Sequence, residues 1–152
     1  MYMPLFNEFL VSADSLRVYQ DSQLLFSSSK DGLLPLLEYI ERLAPSRRGV
    51  TVFDKIMGNA SALLSVEANC KEIFSPLGSQ LAVKTLEEYG IKYHITKIVP
   101  YIQQPNGEDM CPMEKLSLDK EPEEFYGVIK SMIEQGDRRT KKYHKQINTR
   151  TT

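Results

Sequence analysis

Cysteine and histidine are both scarce in this sequence, with two of each in 152 residues. Cys70 and Cys111 cannot build a disulfide framework, so the fold must rest on its core, and a reducing, cytoplasmic setting is expected. A catalytic or structural zinc needs three or four well-placed ligands. Cys70, Cys111, His94 and His144 supply no Cys-x-x-Cys or His-x-Glu spacing, so no metal is expected. His94 falls in a strand pattern and reads as a structural histidine. There is no Walker loop, no Gly-x-Gly-x-x-Gly after a strand and no nucleophile elbow. Their absence removes the common nucleoside-triphosphate, dinucleotide and Ser-His-Asp chemistries, and no cofactor is expected. Nor does any apolar run approach the roughly 20 residues of a membrane span. The N-terminal MYMPLFNEFLVSAD lacks a basic segment and carries Glu8, so neither a secretory leader nor a membrane partner is expected. Asn59-Ala60-Ser61 matches the glycosylation pattern, which is silent in a cytosolic chain.

What is present is ordinary for a globular protein: 41% hydrophobic and 26% charged residues, long enough for one domain. Charge is unevenly placed. From Asp137 onward six basic residues, Arg138, Arg139, Lys141, Lys142, Lys145 and Arg150, face one acid. The first 136 residues carry a net charge of −6. The division predicted is one α/β domain over 1–136 and a flexible basic tail over 137–152. Such a tail could contact RNA, although Tyr143 is its one aromatic and offers no stacking platform.

Periodicity gives the elements. A short helix or irregular lead-in occupies 1–13. Leu16–Tyr19 and Leu24–Phe26 make a hairpin about an Asp21-Ser22 turn. Leu33, Leu34, Leu36, Leu37, Ile40 and Leu43 recur at helical spacing, with Pro35 tolerated in the first turn. Gly49–Phe53 reads as a buried strand, Gly58–Val66 as a helix, Cys70–Phe74 as a strand and Pro76–Tyr89 as a helix closed by Gly90. Ile91–Val99 is a further strand and Gln103–Asp109 a loop. A short helix starts near Pro112, and a last one runs over Glu123–Glu134. Strands alternating with crossover helices imply a mixed, mostly parallel sheet covered on both faces, with an antiparallel hairpin at one side.

Two segments carry chemistry. Asp54 and Lys55 follow a strand's carboxyl end, where ligands collect in open α/β sheets. Gly58, Asn59 and Ala60 then open a helix with small side chains, so an anion could approach the backbone N–H groups there. The alternative is that Asp54 and Lys55 pair with each other or cap the helix. In Cys111-Pro112-Met113-Glu114, Pro112 suits a first helical position and puts Cys111 at the N-cap. A thiol there has its thiolate favoured by the helix dipole. Glu114, at the third helical position, is expected to face the same cleft as Cys111, as partner of a nucleophile or as a ligand contact. The alternative is a buried cysteine before a capping-box glutamate.

The segments Val52-Phe53-Asp54-Lys55-Ile56-Met57-Gly58-Asn59-Ala60, Val99-Pro100-Tyr101-Ile102 and Met110-Cys111-Pro112-Met113-Glu114-Lys115 resemble a small bacterial and archaeal family of domains of unknown function. The resemblance spans about Ser15 to Leu118. It implies the cytidine deaminase-like fold, a three-layer α/β/α sandwich, and carries the motif positions onto Asp54, Lys55, Gly58, Ala60, Cys111, Pro112 and Glu114. Where the family reads Arg-Asp-Gly-Thr, this chain has Pro105-Asn106-Gly107-Glu108-Asp109 and lacks the arginine. Fold membership does not confer deamination. The expectation is a metal-free site that recognises, and in its stronger form modifies, a small nucleotide-like or RNA-borne ligand. Asp54 would be the acid/base or orienting carboxylate, Lys55 an anion contact, Cys111 a nucleophile and Glu114 its partner. The rival is a non-catalytic binding or regulatory domain that keeps the fold without the chemistry.

Overall fold

A computed structural model of the chain describes residues 2–104, 107 and 109–136. The basic tail over 137–152, and with it the RNA-contact reading, lies outside the described residues, as do Pro105, Asn106 and Glu108 of the loop. Among the described residues, no helix is long and apolar enough to cross a membrane.

The hairpin forms as its turn residues dictate. Strands β1 (Leu16–Gln20) and β2 (Gln23–Ser28) pair antiparallel about Asp21 and Ser22. Both turn residues take positive φ, 50° and 67°, the backbone twist that a two-residue hairpin needs. Helix α1 (Met3–Val11) precedes them, with Pro4 in its first turn, where the missing N–H is not required. Helix α2 (Leu34–Arg42) likewise carries Pro35 at its start, and a 3-10 turn over Ala44–Ser46 leads to β3 (Val50–Asp54).

The sheet order is β2-β1-β3, then β4 (Cys70–Ser79) and β5 (Lys92–Val99). β1 pairs antiparallel with both neighbours, while β3–β4 and β4–β5 are parallel. Four strands therefore share one direction, and only β1 opposes them.

β4 departs from the sequence expectation, in which this strand ends at Phe74 and a helix begins at Pro76. The strand continues to Ser79, and helix α4 covers Gln80–Glu88. Leu77 and Leu81 have helical spacing, yet the backbone at Leu77 is claimed by Met57, whose N–H donates to the Leu77 carbonyl at 2.8 Å. The β4–β5 register passes from Ser75↔Ile95 to Leu77↔Lys97 without pairing Pro76, which has no N–H to give. The helix starts where Ser79 accepts the Ala82 N–H at 3.0 Å as N-cap.

Alternation along the strands builds two cores. Val18, Val50, Val52 and Ile73 face the larger one, with the inner faces of α2, α4 and the remaining helices α3 (Asn59–Glu67), α5 (Pro112–Ser117) and α6 (Pro122–Glu134). Tyr19, Phe53 and Phe74 face the other side, where Phe6 and Phe9 of α1 pack on them ring against ring. Helices thus flank the mixed sheet on both faces, but unevenly.

Helix α3 holds the centre. It packs against β4, α4, α5 and α6, and every residue from Asn59 to Ser65 is buried. A helix enclosed on all sides tolerates no charged face. The segment Asn59-Ala60-Ser61-Ala62-Leu63-Leu64-Ser65-Val66 has none before Glu67.

Candidate functional site at the first turn of helix α3

Asp54 ends β3, and its side chain turns the chain toward α3. One carboxylate oxygen accepts the Ile56 N–H at 3.3 Å, and the Ser61 hydroxyl, one turn into the helix, also bonds to it. Burial disfavours the charged form, and neither these hydrogen bonds nor the Lys55 ammonium offsets it, so the carboxyl is pushed up to about 7.

Gly58 is the N-cap of α3. The following amides point at a carboxylate from elsewhere in the chain. Glu114 Oε1 accepts the Asn59 N–H at 2.5 Å, and Oε2 accepts the Ile102 N–H at 2.9 Å. The Ala60 N–H and the Ser79 hydroxyl complete its shell. Glu114 is 2% exposed, and burial raises its pKa against the pull of those hydrogen bonds. Among the described residues no cation pairs with it; the positive end of the α3 dipole faces it instead.

Small side chains at this helix start predict room for a ligand's anion. In the structure the anion that uses the room is the chain's own. A Cβ on Gly58 would lie 3.0 Å from both Glu114 Oε1 and Ile102 Cγ1, so any other residue would require these side chains to give way by a few tenths of an ångström.

Asn59 extends the cluster into α4 and α5. Its side-chain amide donates to Ser117 Oγ at 3.0 Å, and its carbonyl oxygen accepts from the Thr85 hydroxyl. Ser117 Oγ in turn donates to the Glu114 main-chain carbonyl at 2.6 Å.

The structure therefore brings Asp54, Gly58, Asn59, Ala60 and Glu114 to one helical turn. Lys55 is elsewhere: its ammonium donates to the Ser12 carbonyl at 3.0 Å and lies 4.8 Å from the Phe9 ring centroid. There it caps the carboxyl end of α1, and burial lowers its pKa. It pairs with neither Asp54 nor α3.

Cys111 is the N-cap of α5 and Pro112 its first helical residue, as the sequence predicts. Two expectations for this segment need correction. Glu114 does not face solvent or an open cleft beside Cys111, because its carboxylate is drawn inward to Asn59 and Ile102. Nor is it a capping box, since the Cys111 N–H donates to the Ile102 carbonyl at 2.7 Å. The Cys111 thiol is buried, 2% exposed.

His94 lies in β5, stacked on Phe74 with ring centroids 4.2 Å apart and bonded to Glu72 at 2.7 Å. Among the described residues no three His, Cys, Asp or Glu side chains gather as metal ligands do.

Sequence reasoning missed Ser61, Ser79, Thr85, Ser117 and the Ile102 amide. Thr85 left one trace, a hydroxyl on the face of α4 that otherwise buries Ala82 and Leu86.

The family model for a domain of unknown function, DUF1893, matches residues 6–133. The chain belongs to the DUF1893 family. A DUF1893 family protein from Thermotoga maritima, known from a crystal structure, is 29% identical, with a TM-score of 0.73 over 85% of each chain. No curated protein matches the chain. The DUF1893 match takes in the whole cluster, from Asp54 through Gly58–Ala60 to Cys111 and Glu114.

Proposed function

We propose that this DUF1893 domain is a cytoplasmic, metal-free protein of the cytidine deaminase-like fold that binds a small nucleotide-like ligand without converting it. The observation that carries the reading is the seat of Glu114 on the Asn59 and Ile102 amides. A general base must come within hydrogen-bond reach of the proton it takes. A carboxylate that is 2% exposed and spends both oxygens on backbone amides holds the site together rather than acting on a substrate. In the zinc deaminases, a metal held by His and Cys activates water beside a mobile proton carrier. Among the described residues no such set of ligands gathers, and Glu114 is held by backbone amides.

The test combines metal analysis of untagged protein with a thermal-shift screen against nucleosides and nucleotides. Each compound that raises the melting temperature is recovered and checked for chemical change. Recovery unchanged supports binding without turnover. Stoichiometric zinc, or a deaminated product whose formation stops on chelation, overturns the reading.

One observation favours a second reading, in which the domain is a catalyst. Asp54 stands at a strand's carboxyl end with its carboxyl pushed up to about 7, the range in which a carboxyl exchanges protons at neutral pH. If turnover is found, it should titrate near that value and vanish in Asp54→Asn.

A further inference from the structure

The polar network around Asn59 is also the floor of a cleft of about 400 Å³ between α4 and the α5–α6 connection. That volume lies within the usual range of small-ligand sites, about 300–1,000 Å³. Asn59, Thr85 and Ser117 form the floor and are 6%, 8% and 0% exposed. Three polar side chains buried at one helix junction cost desolvation that apolar residues would avoid. Their hydrogen bonds fill the donors but leave acceptors: Asn59 Oδ1 takes one hydrogen bond, from Thr85, and the Thr85 hydroxyl, which lines the cleft, accepts none among the described residues.

The walls bring charge of both signs. Lys84 and Glu88 stand one turn apart on α4, and Lys120 lies across from them on the α5–α6 connection, between Asp119 and Glu121. Among the described residues, Lys84 and Glu88 make no hydrogen bond or ion pair, even with each other. Lys120 spends one proton on the Leu116 carbonyl at 2.7 Å and keeps two. The cleft is pre-formed. Tyr89 donates to Glu121 across its mouth, Glu121 and Glu124 make a capping box, and Asp119 turns the connection at φ 57°.

We infer that this cleft binds a small phosphorylated polyol, with the phosphate on Lys84 and Lys120 and the hydroxyls donating to Glu88, Asn59 Oδ1 and Thr85. The charges fit that division: lysines meet a phosphate, while carboxylate and amide oxygens accept from vicinal hydroxyls. A bare anion would meet Glu88, Asp119 and Glu121 as repulsive neighbours, and an uncharged polyol would leave both lysines unused. The inference rests on the ligand-binding reading above and gives it a place and a chemical class.

The experiment titrates the full chain with ribose 5-phosphate, a nucleoside monophosphate, the matching nucleoside and inorganic phosphate. Calorimetry reads affinity, and backbone amide NMR reads place. Saturable binding of a phosphorylated polyol is expected, with shifts at Asn59, Thr85 and Ser117. Each of Lys84→Ala and Lys120→Ala should weaken it about tenfold, the effect of losing one charged contact. Lys130→Ala, on α6 away from the cleft, should not. The two phosphorylated compounds separate a sugar phosphate from a nucleotide as the source of the shared chemistry. No binding of either at millimolar concentration overturns the ligand class. Binding that ignores Lys84 and Lys120, or shifts amides elsewhere, overturns the place while leaving the domain a ligand binder. Binding followed by conversion upholds the cleft and overturns the non-catalytic reading.

Discussion

Glu114 accepts the Asn59 N–H across 55 positions of sequence, and through that bond the loop after β5 and helix α5 are fastened to the first turn of α3. The same carboxylate takes the Ile102 N–H. One buried side chain thus answers donors from two segments, the first turn of α3 and the loop after β5. It does for α3 what a bound anion does at many helix starts, but from within the chain.

Removing that carboxylate should cost more than removing an ordinary hydrogen-bonding side chain. Glu114→Ala leaves the Asn59 and Ile102 amides buried without an acceptor, and each such donor costs about 1–3 kcal/mol. A loss of about 3 kcal/mol or more is expected in urea unfolding. Glu114→Gln keeps one acceptor but turns an NH2 toward an N–H, so an intermediate loss is expected. If the two variants unfold at the wild-type midpoint, Glu114 is not the fastening.

Gly58 offers a second check on the same contact. Its φ is −82°, so backbone conformation does not demand glycine; the 3.0 Å approach of Glu114 and Ile102 to a Cβ does. Gly58→Ala should destabilise by about 1–3 kcal/mol through overpacking. Gly127, inside α6 with nothing within 4 Å of a Cβ, should respond in the opposite sense. There Gly127→Ala is expected to stabilise by about 0.5–1 kcal/mol, since alanine is the better helix former. Opposite shifts in the unfolding midpoint separate steric demand from helix propensity in one experiment.

The sequence exposed what short-range chemistry controls. Asp21-Ser22 announced the hairpin, Pro35 and Pro112 marked helix starts, and Gly90 sits after α4 with φ 70°. What it concealed depends on partners far along the chain. Nothing near Leu77 states that Met57 will claim its carbonyl, so the helical spacing of Leu77 and Leu81 hid the end of β4. Glu114 sat at the third helical position, where spacing alone offered a capping box or a partner for Cys111. Its true acceptor role required the fold to bring Asn59 and Ile102 to it. Lys55 was misleading for the same reason, because the α1 carboxyl end that receives its ammonium is 43 positions away.

Asp54 makes stability depend on pH in the less usual direction. From its ordinary 3.8, the unfolded carboxyl releases its proton early, whereas the folded one keeps it up to about 7. Between those values the folded state holds more protons, so stability falls as pH rises from about 4 to about 7. Glu114, also raised by burial, adds to the slope in the same sense. Asp54→Asn retains the oxygen that accepts the Ile56 N–H and removes the titration. Urea midpoints at intervals from pH 4.5 to 7.5 should decline in the wild type and decline less in Asp54→Asn. Equal slopes would show that Asp54 ionises normally and would remove the basis for acid–base chemistry there.

The two cysteines decide whether Cys111 has a chemical role. A nucleophilic thiol must form thiolate and must be reached. Cys70, at the start of β4, is 9% exposed, and burial pushes its thiol up to about 12, so it serves as the inert reference. Cys111 is 2% exposed, and α5, which it caps, is only six residues long. With so little surface, its labelling by a disulfide reagent at pH 8 should wait on opening of the fold, as for Cys70. The native protein is therefore expected to show two slow thiols, both fast in denaturant, with Cys111 no quicker than Cys70 when each is assigned by mass spectrometry. A Cys111 that reacts ahead of global unfolding would place an open path beside the N-cap of α5. That outcome would restore the nucleophile and count against a domain that only binds.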